Sequence, residues 1–154
     1  MRQALESLFT RARSFFERRG SEQRVERVKV LGLLGDARDR GLLATVAARN
    51  QWDLTFARDY GEARRLLEEM RPPVVLCDRD LLEQDWWFGM EGLAACSERS
   101  SILLVSKVAD HYLWNEIVRR GGYDVLSKPL QEEELVRAVK LAWSYWTSTS
   151  QTTR

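Results

Sequence analysis

The sequence predicts an α/β protein: a five-stranded parallel sheet, doubly wound, with an extra helix at the N-terminus. Three observations carry this. Between Val28 and Trp146, short apolar runs alternate with stretches of helical periodicity, five times over. Two of the runs, Val74-Val75-Leu76-Cys77 and Ile102 to Val105, are continuously apolar, as strands covered on both faces must be. Turn and capping residues punctuate the alternation at Gly35-Asp36, Asp59, Pro72-Pro73, Asp110 and Gly121-Gly122.

The elements follow in order. Leu5, Leu8, Phe9, Ala12, Phe15 and Phe16 recur at helical spacing with arginines between them, which predicts an amphipathic helix ending near Gly20. Residues 1–29 hold eight Arg and Lys against four Glu, and a polar linker runs from Gly20 to Arg27. Residues 1–24 are thus set apart as helix and linker, residues 25–146 form the α/β domain, and residues 147–154, rich in Ser and Thr, are expected to be a flexible tail. Val28 to Leu34 is the first strand, and Leu42, Leu43, Val46 and Ala47 mark the helix after it. Asp53 to Ala57 is a short strand. Asp59 with Glu62 resembles a capping box and opens a helix carrying Ala63, Leu66, Leu67 and Met70, which Pro72-Pro73 stops. The third strand ends at Asp78, and Leu93 and Ala94 suggest a helix beginning in the late eighties. After Ile102 to Val105, Asp110 caps a helix with Leu113, Trp114, Ile117 and Val118, closed by Gly121-Gly122. Tyr123 to Leu126 is the fifth strand, and Leu135, Ala138, Val139, Ala142 and Trp146 form the last helix.

Composition removes several functions. The 154 residues carry a net charge of +1, so nucleic-acid binding by bulk charge is not indicated. Cys77 and Cys96 stand in no metal-binding spacing, and His111 is the single histidine, which argues against a zinc site or a disulfide scaffold. No apolar run approaches the ~20 residues of a membrane span, and no secretory leader opens the chain. A cytoplasmic protein without membrane attachment is the expectation. The basic N-terminal helix is read first as packing on its own domain or a second copy, and secondly as lying on a membrane or in a partner's groove.

Ligands of such sheets bind at the carboxyl ends of the strands. There the chain places Gly35-Asp36, Asp78-Arg79-Asp80, Ser106 and Lys128-Pro129. A carboxylate can accept a phosphoryl group, Mg²⁺ on neighbouring carboxylates can offset its charge, and a hydroxyl and an ammonium can hold its oxygens. With VVLCD ending at Asp78, ILLVS ending at Ser106 and the Ser127-Lys128-Pro129 tripeptide, residues 28–146 resemble the receiver domain of bacterial two-component response regulators, a flavodoxin-like fold. Asp78 precedes Ser106 by 28 residues, and Ser106 precedes Lys128 by 22. The resemblance implies Asp78 as phosphoacceptor, Ser106 and Lys128 as the switch residues contacting phosphate, and a cis bond before Pro129 that aims the lysine. It implies Mg²⁺ held by Asp36, Asp78 and Asp80, the last through its main-chain carbonyl.

The chain also departs from the pattern. The two adjacent acids that end the first strand in receivers align with Leu34 and Gly35, and Asp36 lies one residue late. The aromatic switch position three before the lysine is Val125, with Tyr123 nearby. Leu81-Leu82 stand where Met-Pro is usual, and Asp85-Trp86-Trp87 replace the turn after them. Trp114 on the fourth domain helix and Trp143 on the fifth suggest an aromatic partner surface, either for a homodimer or for another protein. Trp86 and Trp87 are expected near the acceptor.

The leading functional expectation is therefore a stand-alone, non-enzymatic receiver, phosphorylated on Asp78 by a histidine kinase or phosphotransfer protein. The alternative is a pseudo-receiver that keeps the fold as an interaction or dimerisation module and ignores phosphate. A third reading takes Asp78-Arg79-Asp80 as the DxD of a haloacid-dehalogenase-type phosphatase. Against it, that motif follows the first strand in those enzymes, and here it follows the third.

Overall fold

The computed structural model of the protein describes residues 27–82 and 85–152, so the expected N-terminal helix of residues 1–24 lies outside the described residues. Five strands, β1 (Lys29–Leu33), β2 (Asp53–Phe56), β3 (Val74–Asp78), β4 (Ser101–Ser106) and β5 (Asp124–Ser127), form one all-parallel sheet in the order β2-β1-β3-β4-β5. The helices are α1 (Ala37–Asn50), α2 (Tyr60–Met70), α3 (Trp86–Cys96), α4 (His111–Arg119) and α5 (Glu132–Thr152), with a 3₁₀ turn at Arg79–Leu81 after β3. The predicted doubly wound architecture is the one observed.

Two apolar clusters explain why this order holds. Val30, Val74, Leu76, Leu103 and Val105 point to one face and pack on Leu43 and Val46 of α1 and on Leu135, Val139 and Ala142 of α5. Their neighbours Leu31, Val75, Cys77, Ile102 and Leu104 point to the other face and pack on Ala63, Leu67, Met90, Leu93, Leu113 and Ile117 of α2, α3 and α4. Successive strand residues alternate sides, so a strand that is apolar at every position is covered on both faces. Gly32 sits where a Cβ would lie 3.0 Å from the Phe56 ring and 3.1 Å from Leu43, so a side chain there would press on both β2 and α1. Gly121, after α4, takes φ +93°, a backbone conformation open to glycine.

Helix starts follow their caps. The side chains of Asp36, Asp59 and Asp110 accept from the N–H groups of Arg38, Glu62 and Leu113. Glu62 reaches back to the Arg58 N–H at 3.2 Å, one residue earlier than a capping box requires.

Four expectations shift. α3 begins at Trp86, ahead of the late eighties. The fifth strand runs Asp124–Ser127, one residue later than read, so Lys128 follows its last residue directly. On α4 only Leu113 and Ile117 are buried, and Trp114 and Val118 remain exposed. α5 continues through Thr152, across most of the stretch read as a tail from Thr147. Thr147, Ser148 and Thr149 turn their hydroxyls onto carbonyls one turn back, which lets such residues sit inside a helix. Among the described residues no helix is long and apolar enough to cross a membrane.

Candidate functional site

Asp78 closes β3 and is 3% exposed, because β1 and β4 flank that strand on both sides. A buried carboxylate needs partners for both oxygens. One oxygen accepts the Asp80 N–H at 2.9 Å, where the 3₁₀ turn begins. The other meets the Lys128 ammonium directly. Lys128 leaves the end of β5 with its own N–H on the Ser106 carbonyl at 2.9 Å, so the fifth strand and the fourth together aim it at the third. The Lys128–Pro129 bond is cis. Ser106, closing β4 and 3% exposed, accepts the Val108 N–H on its hydroxyl at 3.2 Å. Asp78, Lys128 and Ser106, the three residues named for phosphate chemistry, thus sit on the adjacent ends of β3, β4 and β5.

The end of β1 is different. Leu34 is buried in the α1/α5 core and Gly35 is exposed, so neither offers a carboxylate. Asp36 is exposed and spends an oxygen on the Arg38 N–H at 2.8 Å, as the cap of α1. Asp80 is exposed as well. Among the described residues, no three His, Cys, Asp or Glu side chains gather around a cation position.

A residue that the sequence reading passed over takes their place. Asp39, in the first turn of α1, is 3% exposed. Its Oδ2 lies 3.9 Å from the Lys128 Nζ and has no hydrogen-bond partner among the described residues. The Leu130 N–H, just past Pro129, also bears on this carboxylate. A signal was available: Asp39 falls four residues before Leu43 on the buried stripe of α1, where an unpaired acid is out of place.

The electrostatics follow from these contacts. Burial pushes the Asp39 pKa up, the nearby charge of Asp36 adds to this, and Lys128 and the Leu130 N–H oppose it; the net direction is upward. Burial alone would lower the Lys128 pKa, but the hydrogen bond and charge of Asp78, and then the charge of Asp39, outweigh it and raise it. Lys128 is therefore held as a cation between two buried carboxylates. Asp39, Asp78 and Lys128 leave one net negative charge among the buried groups, and the exposed carboxylates of Asp36 and Asp80 act on them as well. A Mg²⁺ ion, which receivers hold on several carboxylates, meets no acid at the end of β1 here and an ammonium hydrogen-bonded to Asp78. The residues present do not fit that ion.

The aromatic residues fall into separate groups. Trp86 lies under the Arg79 guanidinium at 5.3 Å and edge-on to Trp87 at 5.9 Å, so this pair does flank the segment that follows Asp78. Trp87 in turn lies 5.9 Å from Arg120. Trp114 is exposed on α4. Trp143 is half-buried and stacked on Trp146, with ring centroids 5.2 Å apart. It lies three helical turns after Glu132, on the side of α5 that pairs with Arg49 of α1 at 2.7 Å. The exposed aromatic of α5 is Tyr145, tilted on Tyr123 at 5.7 Å. Val125, at the aromatic switch position, is half-buried and packs in the α2/α3/α4 core.

No protein-family model matches the sequence, and no curated protein matches it. Solved structures do. A two-component response regulator from Clostridium difficile is 19% identical with a TM-score of 0.68, over 77% of this chain and 97% of that one. A chemotaxis protein from Vibrio cholerae gives 17% and 0.67, over 76% and 99%. The receiver domain of a sensor histidine kinase from Pseudomonas aeruginosa PAO1, solved with a magnesium ion coordinated in its active site cleft, gives 20% and 0.64, over 75% and 96%. The chain has the receiver fold, with almost the whole of each of these domains laid over it.

Proposed function

We propose that this chain is a signalling module of the two-component type that keeps the receiver fold as a protein-docking unit, with Asp78 serving as a fixed, charge-compensated centre in place of a Mg²⁺-dependent phosphoacceptor. One observation carries the reading. Both oxygens of Asp78 are engaged inside the chain, by Lys128 and by the Asp80 N–H, while the acid positions at the end of β1 are Leu34 and Gly35. Phosphoryl transfer to a carboxylate needs positive charge at the incoming oxygens. Here the positive charge present is already committed to Asp78 and Asp39. Output then depends on what the surface presents, and Trp114, Val118 and Tyr145 leave exposed apolar area on α4 and α5 for a protein partner or a second copy.

A second reading has its own support: Asp78, Ser106 and Lys128 stand on neighbouring strand ends as phosphate chemistry requires. In it, a histidine kinase or phosphotransfer protein phosphorylates Asp78. The experiment is incubation with acetyl phosphate and Mg²⁺, read by phosphate-affinity electrophoresis against Asp78→Asn. The docking reading expects no slow-migrating band in either protein. A band in the wild type that Asp78→Asn abolishes would replace it with the phosphoacceptor reading.

A further inference from the structure

α5 outruns the core it packs on. Leu135, Ala138, Val139 and Ala142 seat its inner stripe, and Ala142 is the last α5 residue of that cluster. The helix runs on to Thr152, ten residues and about 15 Å further. It passes the amino edge of the sheet on the way, since Tyr145 is tilted on Tyr123, one residue ahead of β5. The apolar stripe does not stop with the core. Trp143 stands four residues after Val139 and Trp146 four after Ala142, and the two rings stack with centroids 5.2 Å apart. Both are half-buried, so an aromatic face carries the inner stripe of α5 past the sheet.

Residues 1–19 carry a stripe of matching length. Leu5, Leu8, Phe9, Ala12, Phe15 and Phe16 recur at helical spacing over about 16 Å, while Glu6, Thr10, Ser14 and Glu17 fall on the opposite side. A helix of that size takes most of its stability from packing its apolar face. We propose that this N-terminal segment docks in cis on the end of α5, laying its Leu and Phe stripe over Trp143 and Trp146. The chain enters the sheet at a suitable place. Val28, just before β1, packs against the same cluster that seats α5. The starts of β1 and β5 are three strand spacings apart in the order β1-β3-β4-β5, about 14 Å. The polar linker from Gly20 to Arg27 has eight residues and spans at most about 26 Å, so the reach suffices. A tether of that length gives the segment an effective concentration in the millimolar range, well above that of a second copy in dilute solution. The docking involves no atom of the Asp78 site.

Amide hydrogen exchange of the full chain, read by mass spectrometry, tests this. In the wild type, residues 5–16 and 143–152 are both expected to be protected, and equally so at about 1 and about 100 µM protein. Phe9→Glu/Phe16→Glu puts two charges on the stripe and leaves the sheet and its core residues unchanged. It is expected to speed exchange in residues 143–152 at least about tenfold, with β3 and β4 unaffected. The reciprocal variant Trp146→Glu is expected to do the same to residues 5–16. If Trp146→Glu unfolds the domain, the phenylalanine variant decides alone, since its positions lie outside the sheet. Unchanged exchange of 143–152 in that variant would overturn the docking. Protection that grows with protein concentration, together with a dimer in sedimentation, would overturn it in favour of a second copy. Co-sedimentation of the wild type with phosphatidylglycerol vesicles, lost in Phe9→Glu/Phe16→Glu, would overturn it in favour of a membrane surface.

Discussion

The carboxyl edge of the sheet has two halves that differ in kind. At the ends of β3, β4 and β5, Asp78 and Ser106 close their strands and Lys128 follows directly on its own, with the Lys128 N–H on the Ser106 carbonyl tying two of these ends together. At the end of β1, the strand contributes a buried leucine and a glycine, and the acidic residues belong to the helix: Asp36 as its cap and Asp39 on its inner side. The first half can survive loss of the second because its charge is balanced internally. The second cannot act alone, since among the described residues Asp39 has no hydrogen-bond donor for its Oδ2, and Lys128 from the other half is the cation it faces. A receiver fold can thus retain the acceptor, hydroxyl and lysine positions while dispensing with the acids that elsewhere hold its metal.

The sharpest way to break this contrast is Asp78→Ala. It leaves the Lys128 ammonium paired with Asp39 alone, and should cost about 3 kcal/mol of stability, read from the urea midpoint at neutral pH. A loss within the usual surface range would mean that Lys128 is not bound as tightly as its contacts indicate. A gain-of-function change comes next. Gly35→Asp puts an acid back at the strand end, where a Cβ meets only Leu81 side-chain atoms at 3.4 Å and beyond, an ordinary contact. The variant should fold normally and bind Mg²⁺ about tenfold more tightly than the wild type, equivalent to ~1.4 kcal/mol, as read by quenching or enhancement of Trp86 and Trp87 fluorescence. Unchanged affinity would show that the β1 end is not what limits metal binding.

The smallest effect concerns Asp39→Asn and pH. Burial, followed by the charge of Asp36, raises the folded pKa of Asp39 above its ordinary 3.8. The folded state thus holds this proton more tightly than the unfolded chain. The stability that this proton confers is complete below the unfolded pKa and is lost as pH rises through the folded one. Asparagine cannot ionise and loses nothing over that window. The melting temperature of Asp39→Asn relative to wild type should therefore be more favourable at pH 7 than at about pH 4. The reverse trend would mean that the attraction of Lys128 dominates over burial at this carboxylate.

Parts of this were readable beforehand because they depend on local pattern. Val74 to Cys77 can only be a strand covered on both faces, and its next residue, Asp78, must emerge at the carboxyl edge. The same holds for Ser106 and Lys128. Asp110 before an apolar stripe is a cap in any context, and it proved to be one at 2.8 Å from the Leu113 N–H. Asp36 shows the limit of such reading. Metal ligand and helix cap compete for one carboxylate, and the structure shows the cap, in the hydrogen bond from the Arg38 N–H.

The sequence by itself determined the layered α/β architecture, the strand ends and the presence of an aspartate, a serine and a lysine at three of them, because alternation and apolar runs are properties of short segments. Tertiary structure decided which groups meet. Asp39 joins the site only because α1 packs on the face of the sheet where the chain after Pro129 returns to begin α5, which brings a first-turn carboxylate within 3.9 Å of a lysine 89 residues away. Tyr145 is left exposed because the rotation of α5 is set by Leu135, Val139 and Ala142 seating in the core. Side-chain meetings of this kind depend on how elements rotate and pack, a long-range outcome that no window of adjacent residues contains.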